Sequence, residues 1–187
     1  MNDANGVLWR RLRYFLTPQL DLYKHIGDKI SGDVLEVGFG TGFGVLQYAF
    51  GVNAVTAIEL TQDAVDAASE LMPLLNVIWG VGDITKKAYP HHDVALMIEV
   101  LEHIPNYKAA LHNLADSLYD GGTAYISGPN KNATLRKNDK HEREWTAAEF
   151  TKTLKEYFSE VTLYDYSLTQ VQGEDSYITP LLAVCVK

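Results

Sequence analysis

Asp33-Val-Leu-Glu-Val-Gly-Phe-Gly-Thr-Gly-Phe-Gly44 runs from an apolar strand into a glycine-rich turn, and Phe43 to Phe50 behind it supplies a helix. Val34, Leu35 and Val37, interrupted only by Glu36, suit a strand buried on both faces of a parallel sheet. Gly38, Gly40 and Gly42 give the backbone freedom to turn tightly and to approach a ligand closely. A ligand held there meets bare backbone and the positive end of a helix. Spacing narrows the ligand. The dinucleotide fingerprint needs glycine at the first, third and sixth positions, but counting from Gly38 the sixth is Phe43. No Gly-Lys-Ser/Thr follows, which excludes a phosphate-cradling loop of the P-loop type.

Working outward, a second strand, Ala54-Val-Thr-Ala-Ile-Glu-Leu60, ends near Glu59, 17 residues after Gly42. An acidic side chain at that strand end can accept both hydroxyl protons of a ribose. A third strand, Val77 to Asp83, ends on a carboxylate placed to accept from an exocyclic amine. A fourth, Asp93 to Val100, runs into Leu-Glu-His-Ile-Pro105. Together, Glu-Val-Gly-Phe-Gly-Thr-Gly, Ile-Glu-Leu, Gly-Asp-Ile and Glu-Val-Leu-Glu-His-Ile-Pro resemble the class I S-adenosylmethionine-dependent methyltransferases, in their compact small-molecule branch, over about residues 18 to 187.

The resemblance implies an α/β fold: a Rossmann-like three-layer sandwich with a seven-stranded, mostly parallel sheet in the order 3-2-1-4-5-7-6. Its last strand is antiparallel and helices lie on both faces. It implies S-adenosyl-L-methionine as methyl donor, held by Glu36, Gly38, Gly40, Gly42, Glu59, Leu60, Asp83, Ile84 and Glu99. It also implies that residues 1 to 32 form N-terminal helices covering the donor site of a single domain spanning 1–187, with Tyr14, Phe15 and Tyr23 as lid candidates. Helical aromatics of that kind are more often core.

Length and charge bound the answer independently. The chain has 187 residues, 47% of them hydrophobic, enough for one domain with a substantial core. A net charge of −8 does not favour a nucleic-acid backbone as partner. Cys185 is the only cysteine, so no disulfide or cysteine-rich metal site is available; its apolar setting reads as a small buried hydrophobe. No stretch has the length of a membrane span and no signal-peptide core opens the chain, so the expectation is a cytoplasmic protein. Val7 to Leu16 is a basic amphipathic segment that either lies on an anionic membrane or, the blander reading, packs across the domain. A homodimer is left open.

The remaining elements follow local signals. Thr17-Pro18 starts a helix that presents Leu22, Ile26 and Ile30 on one face; Thr61 caps a helix through Met72. His91-His92 reads as a solvated pair in a loop. Asn106 caps a helix presenting Ala110, Leu111, Leu114 and Leu118, which Asp120-Gly-Gly122 should end before a fifth strand at Thr123 to Ser127. Residues 131 to 144 are polar and aperiodic, a loop expected to be mobile and to close over the acceptor. Thr146 and Glu149 form a capping box flanked by a Trp145 to Phe150 staple. Glu160 to Tyr166 and Ile178 to Val186 read as a final antiparallel pair.

Methyl transfer from a sulfonium mainly requires positioning, with a base only where the acceptor must lose a proton. His141, Glu142 and His103 are the catalytic candidates. Glu99-Val-Leu-Glu102-His103 also resembles a Glu-x-x-Glu-His pattern with which some methyltransferases hold a divalent metal, with a later histidine for which His141 would serve. Metal-free relatives carry nearly the same string, and no metal is expected. The aromatics Trp9, Tyr14, Phe15 and Trp145, with Arg136 and Arg143, suit a small-molecule methyl acceptor with an apolar body and a polar group. Pro129-Asn130 followed by His-x-Arg-x-Trp-Thr resembles methyltransferases of which some modify sugars, so a glycan acceptor stays open, with a nucleic-acid end less favoured. The competing reading from another class is a noncatalytic scaffold or partner subunit with the same fold.

Overall fold

A computed structural model describes residues 18–133, 138–171 and 179–187. The amphipathic segment at 7–16, the Thr17 cap, Trp9, Tyr14, Phe15, Arg136 and the start of the last strand at Ile178 lie outside the described residues. The elements are α1 (Pro18–Gly27), β1 (Asp33–Val37), α2 (Phe43–Leu46), β2 (Ala54–Glu59), α3 (Gln62–Leu71), β3 (Val77–Val81), β4 (His92–Met97), α4 (Tyr107–Asp116), β5 (Leu118–Gly128), α5 (Ala147–Leu154), β6 (Glu160–Tyr164) and β7 (Leu181–Val186). The seven strands form one sheet in the order β3-β2-β1-β4-β5-β7-β6. β7 runs antiparallel to both of its neighbours and the other pairs are parallel, as the resemblance implies.

Strand alternation divides β1 between two cores. Leu35 and Val37 face Met97, Leu111, Leu114, Ile126 and Phe150 on the α4–α5 side. Val34 faces Leu22, Ile26, Val45, Val55 and Leu96 on the α1–α3 side. Glu36 shares the face of Val34, so it points into the second layer of helices and not along the sheet towards its carboxyl edge. Tyr23, a lid candidate, is core: it is 2% exposed, and a Cβ on Gly44 would stand 2.6 Å from its ring. That absent side chain is what lets α1 dock against α2.

Local signals hold where one short-range bond decides them. Thr61 Oγ1 accepts from Ala64 N–H, Asn106 Oδ1 from Ala109 N–H, and the Thr146–Glu149 capping box is complete. They give way where pairing competes. Phe43 to Phe50 is not one helix: α2 has four residues and a separate 3₁₀ turn covers Ala49–Gly51. So short a helix adds little dipole to the turn before it. α4 ends at Asp116, and Leu118, expected on its apolar face, opens β5 opposite His92, with the register shifting between His92 and Val94. His92 is correspondingly not a solvated loop residue. It is 5% exposed with Nε2 3.1 Å from Thr56 Oγ1, and burial lowers its pKa, whereas His91 is exposed and its ring packs on Tyr119. Among the described residues, no helix is long and apolar enough to cross a membrane.

Candidate active site

A crevice of about 500 Å³ opens at the carboxyl ends of β1, β2 and β4, where open α/β sheets bind ligands. Its walls include Gly38 and Gly40 from the turn, Glu59 and Leu60 at the end of β2, Asp83 and Ile84 after β3, and Glu99 and His103 after β4. Seven of the nine residues expected to bind the donor therefore share one cavity, although their positions span 62 residues of chain from Gly38 to Glu99.

The turn works by omission of side chains. Gly40 has φ +58°, and a Cβ there would meet nothing within 4 Å, so its backbone faces open space along the crevice. Gly38 has φ +74°, and a Cβ would stand 2.5 Å from Val100, which lets the segment after β4 close against the turn. Gly42 has φ +81° and instead accommodates Met72 and Trp79 behind the crevice; it does not line it.

Glu36 also lies off the crevice wall, for a visible reason. It is fully buried, with Oε1 accepting from Tyr23 O–H at 2.5 Å and Oε2 from Tyr48 O–H at 2.9 Å. Burial pushes its pKa up to about 8 even though both hydroxyls oppose the shift. Each oxygen accepts from a tyrosine in the helix layer, and Glu36 is not among the residues that line the crevice.

Glu59 differs. Half-buried at the strand end, it makes no ion pair among the described residues, and burial raises its pKa against a backbone bond from Leu60. Asp83 Oδ1 accepts from Thr85 Oγ1 and Thr85 N–H at 2.7 and 2.8 Å, which hold its pKa low. That fixes the carboxylate as an anion with Oδ2 still available. Leu60 is 66% exposed and Ile84 is buried, and the two give the crevice apolar surface between the acids.

Two of the three catalytic candidates, His103 and His141, meet at the crevice. His103 lines the crevice, and its ring lies 5.0 Å from that of His141. His103 Nδ1 is 2.9 Å from Lys140 O, and since a carbonyl only accepts, Nδ1 carries the hydrogen and Nε2 of the neutral ring keeps its lone pair. His141 Nδ1 is 2.6 Å from Glu144 Oε1 and its Nε2 is 2.9 Å from Asn138 Nδ2. The acid partnered with His141 is thus Glu144, three residues on, and not Glu142, whose side chain is exposed and off the crevice. The His141-x-x-Glu144 spacing carried that signal. Trp145, expected beside the acceptor, is 1% exposed and packed between Tyr107 and Phe150.

Glu102 was missed as a site residue outside the metal pattern. It is buried, its Oε2 has no partner, and burial followed by the nearby Glu99 charge pushes its pKa up to about 8. Ligand atoms of Glu102, His103 and His141 lie within 4.8 Å of one another, a grouping that could hold a metal ion. His141 would first have to release Asn138 or Glu144, because both of its nitrogens are engaged. The loop that brings His141 here is tied at this end: Glu142 N–H and Arg143 N–H both donate to Glu102 O.

Residues 8–168 match the family model described as a methyltransferase domain. Nodulation protein S of Azorhizobium caulinodans is 28% identical over 115 residues, 59% of this chain and 55% of that protein, so the chain's match spans about half the length of this curated relative. Among solved structures, N-methyltransferase NodS from Bradyrhizobium japonicum, in complex with S-adenosyl-L-homocysteine, superposes with a TM-score of 0.67 at 20% identity, covering 98% of this chain and 89% of that one. A SAM-dependent methyltransferase from Thermotoga maritima superposes with a TM-score of 0.72 at 16% identity, covering 96% of each chain. At these identities the superpositions speak to the fold.

Proposed function

Since the chain belongs to the methyltransferase domain family and has its class I S-adenosylmethionine-dependent fold, we propose that it transfers a methyl group from S-adenosyl-L-methionine to a small-molecule acceptor. The observation that carries this reading is the crevice itself. One cavity combines a side-chain-free turn at Gly40, a carboxylate at Glu59 with no ion pair among the described residues, an ionised carboxylate at Asp83 and an imidazole at His103.

These residues fit the donor by chemistry. Glu59 can accept from two ribose hydroxyls, Asp83 Oδ2 from an exocyclic amine, and Leu60 and Ile84 can flank a planar base. When bound, the donor supplies an activated methyl group on a positively charged sulfur. The chain's own work is to hold the acceptor in line with that methyl and to exclude water. The Lys140 carbonyl on Nδ1 leaves His103 Nε2 as the ring's acceptor, which supports a role for it in taking a proton from an acceptor that must lose one. His141 and Glu144 stand behind it and hold the loop that carries that carbonyl. The described walls bear neither a cluster of lysines and arginines nor a long groove, which favours a compact acceptor over a nucleic acid. A name of the kind NodS bears, N-methyltransferase, supports including amines among the acceptors to be tried.

Calorimetric titration with S-adenosyl-L-homocysteine tests the reading. Saturable one-to-one binding is expected. No binding at millimolar concentration would leave the scaffold reading in its place.

A further inference from the structure

Glu99 is one of two non-glycine residues with positive φ among the described residues, at +55°, and it stands on the crevice wall where β4 ends. That conformation is unfavourable for an L-residue and persists only where the surroundings impose it. Here one buried serine grips Glu99 twice: Ser127 Oγ accepts from Glu99 N–H at 3.0 Å and donates to Glu99 Oε1 at 2.9 Å. Tyr166 O–H donates to the same Oε1 at 2.8 Å from beyond the end of β6, 67 residues away. The tyrosine is itself anchored, its carbonyl oxygen lying 3.2 Å from His25 Nδ1 on α1.

The result is a carboxylate with one oxygen saturated and the other, Oε2, without a protein partner among the described residues. No lysine or arginine among them forms an ion pair with Glu99, Glu102 or Glu144. Burial raises the pKa of Glu99 while the Tyr166 and Ser127 bonds oppose that rise, so the clamp favours the charged form as well as the orientation. Its place in the crevice is at the glycine turn, since the adjacent Val100 abuts Gly38 and the adenosine-type acceptors Glu59 and Asp83 lie at the end of β2 and just beyond β3. A nucleoside bound by those acids would direct its amino-acid end towards Glu99.

We propose that Tyr166 and Ser127 are positioning residues that hold the Glu99 carboxylate to receive the α-ammonium group of the donor. This rests on the donor reading above, and the test separates the two. S-Adenosyl-L-homocysteine and 5′-methylthioadenosine share adenine, ribose and thioether, and only the first carries the ammonium and carboxylate. Both are titrated by calorimetry into wild type, Tyr166→Phe and Glu99→Gln. Tyr166→Phe should weaken S-adenosyl-L-homocysteine by about five- to tenfold and Glu99→Gln by about ten- to a hundredfold, the scale of one charge-assisted bond, with 5′-methylthioadenosine unchanged in both. Equal losses for the two ligands would make the clamp merely structural and overturn the proposal, as would no loss for either. Should Tyr166→Phe fail to fold, Ser127→Ala, which removes the other hydroxyl that donates to Oε1, takes its place beside Glu99→Gln, with the same selective loss for S-adenosyl-L-homocysteine expected and equal or no losses overturning the proposal. Wild type binding neither ligand overturns the donor reading itself, and this proposal with it.

Discussion

Replacing Glu36 with glutamine turns a buried acid into a neutral group of the same shape, and the structure sets the consequence. Glu36 is fully buried, and its pKa is displaced from 4.5 to about 8, burial outweighing the two tyrosine hydroxyls. The folded value lies above the unfolded one, so the native state keeps a proton that the unfolded chain releases. The stabilisation is fully present below the unfolded value and is lost as pH rises through the folded value. Linkage at 1.36 kcal/mol per pH unit gives wild type a loss of about 3 kcal/mol between about pH 5 and pH 8 that Glu36→Gln does not share. Glu102, pushed to a similar value, titrates in both proteins and cancels in the comparison. The amide can accept from only one of Tyr23 and Tyr48, which subtracts a constant of about 1 kcal/mol from the variant at every pH. Urea unfolding followed by circular dichroism, repeated across this pH range, measures the difference. If the gap between the two proteins stays flat, or moves in wild type's favour as pH rises, Glu36 is not a protonated acid in the fold and the reasoning fails.

Glu59→Ala should weaken S-adenosyl-L-homocysteine binding by about 1.5–3 kcal/mol with little change in melting temperature, because the half-buried residue has no ion-pair partner to orphan; a large stability loss without ligand would mark it as structural. Gly44→Ala should cost about 1–3 kcal/mol, since the new Cβ falls 2.6 Å from the Tyr23 ring and must push α1 off α2; unchanged urea unfolding would contradict that packing. Chelator should leave turnover unchanged, because both nitrogens of His141 are already hydrogen-bonded; loss of activity restored by Mg²⁺ or Zn²⁺ would show that Glu102, His103 and His141 hold an ion instead. The amides of Glu142 and Arg143, both bonded to the Glu102 carbonyl, should exchange slowly without any ligand, and fast exchange there would restore the freely moving lid expected from composition.

The strand, the turn and the acidic strand ends were legible in the chain because each rests on local chemistry: β-rich runs, glycines where φ is positive, and a carboxylate at or just past a strand's end. Cap residues were legible for the same reason, since Thr61, Asn106 and Thr146 bond only three residues ahead. What a residue faces was partly legible too. Glu36 alternates with Leu35 and Val37, so the period of the strand already turns it towards the helix layer. That two tyrosines wait there, one on α1 and one beyond α2, depends on how the helices pack. The grip of Ser127 and Tyr166 on Glu99, the burial of His92 against Thr56 and the pairing of His141 with His103 join positions 28 to 67 residues apart. No local pattern encodes such contacts, because closing each loop costs entropy that only the shared sheet and its two cores repay.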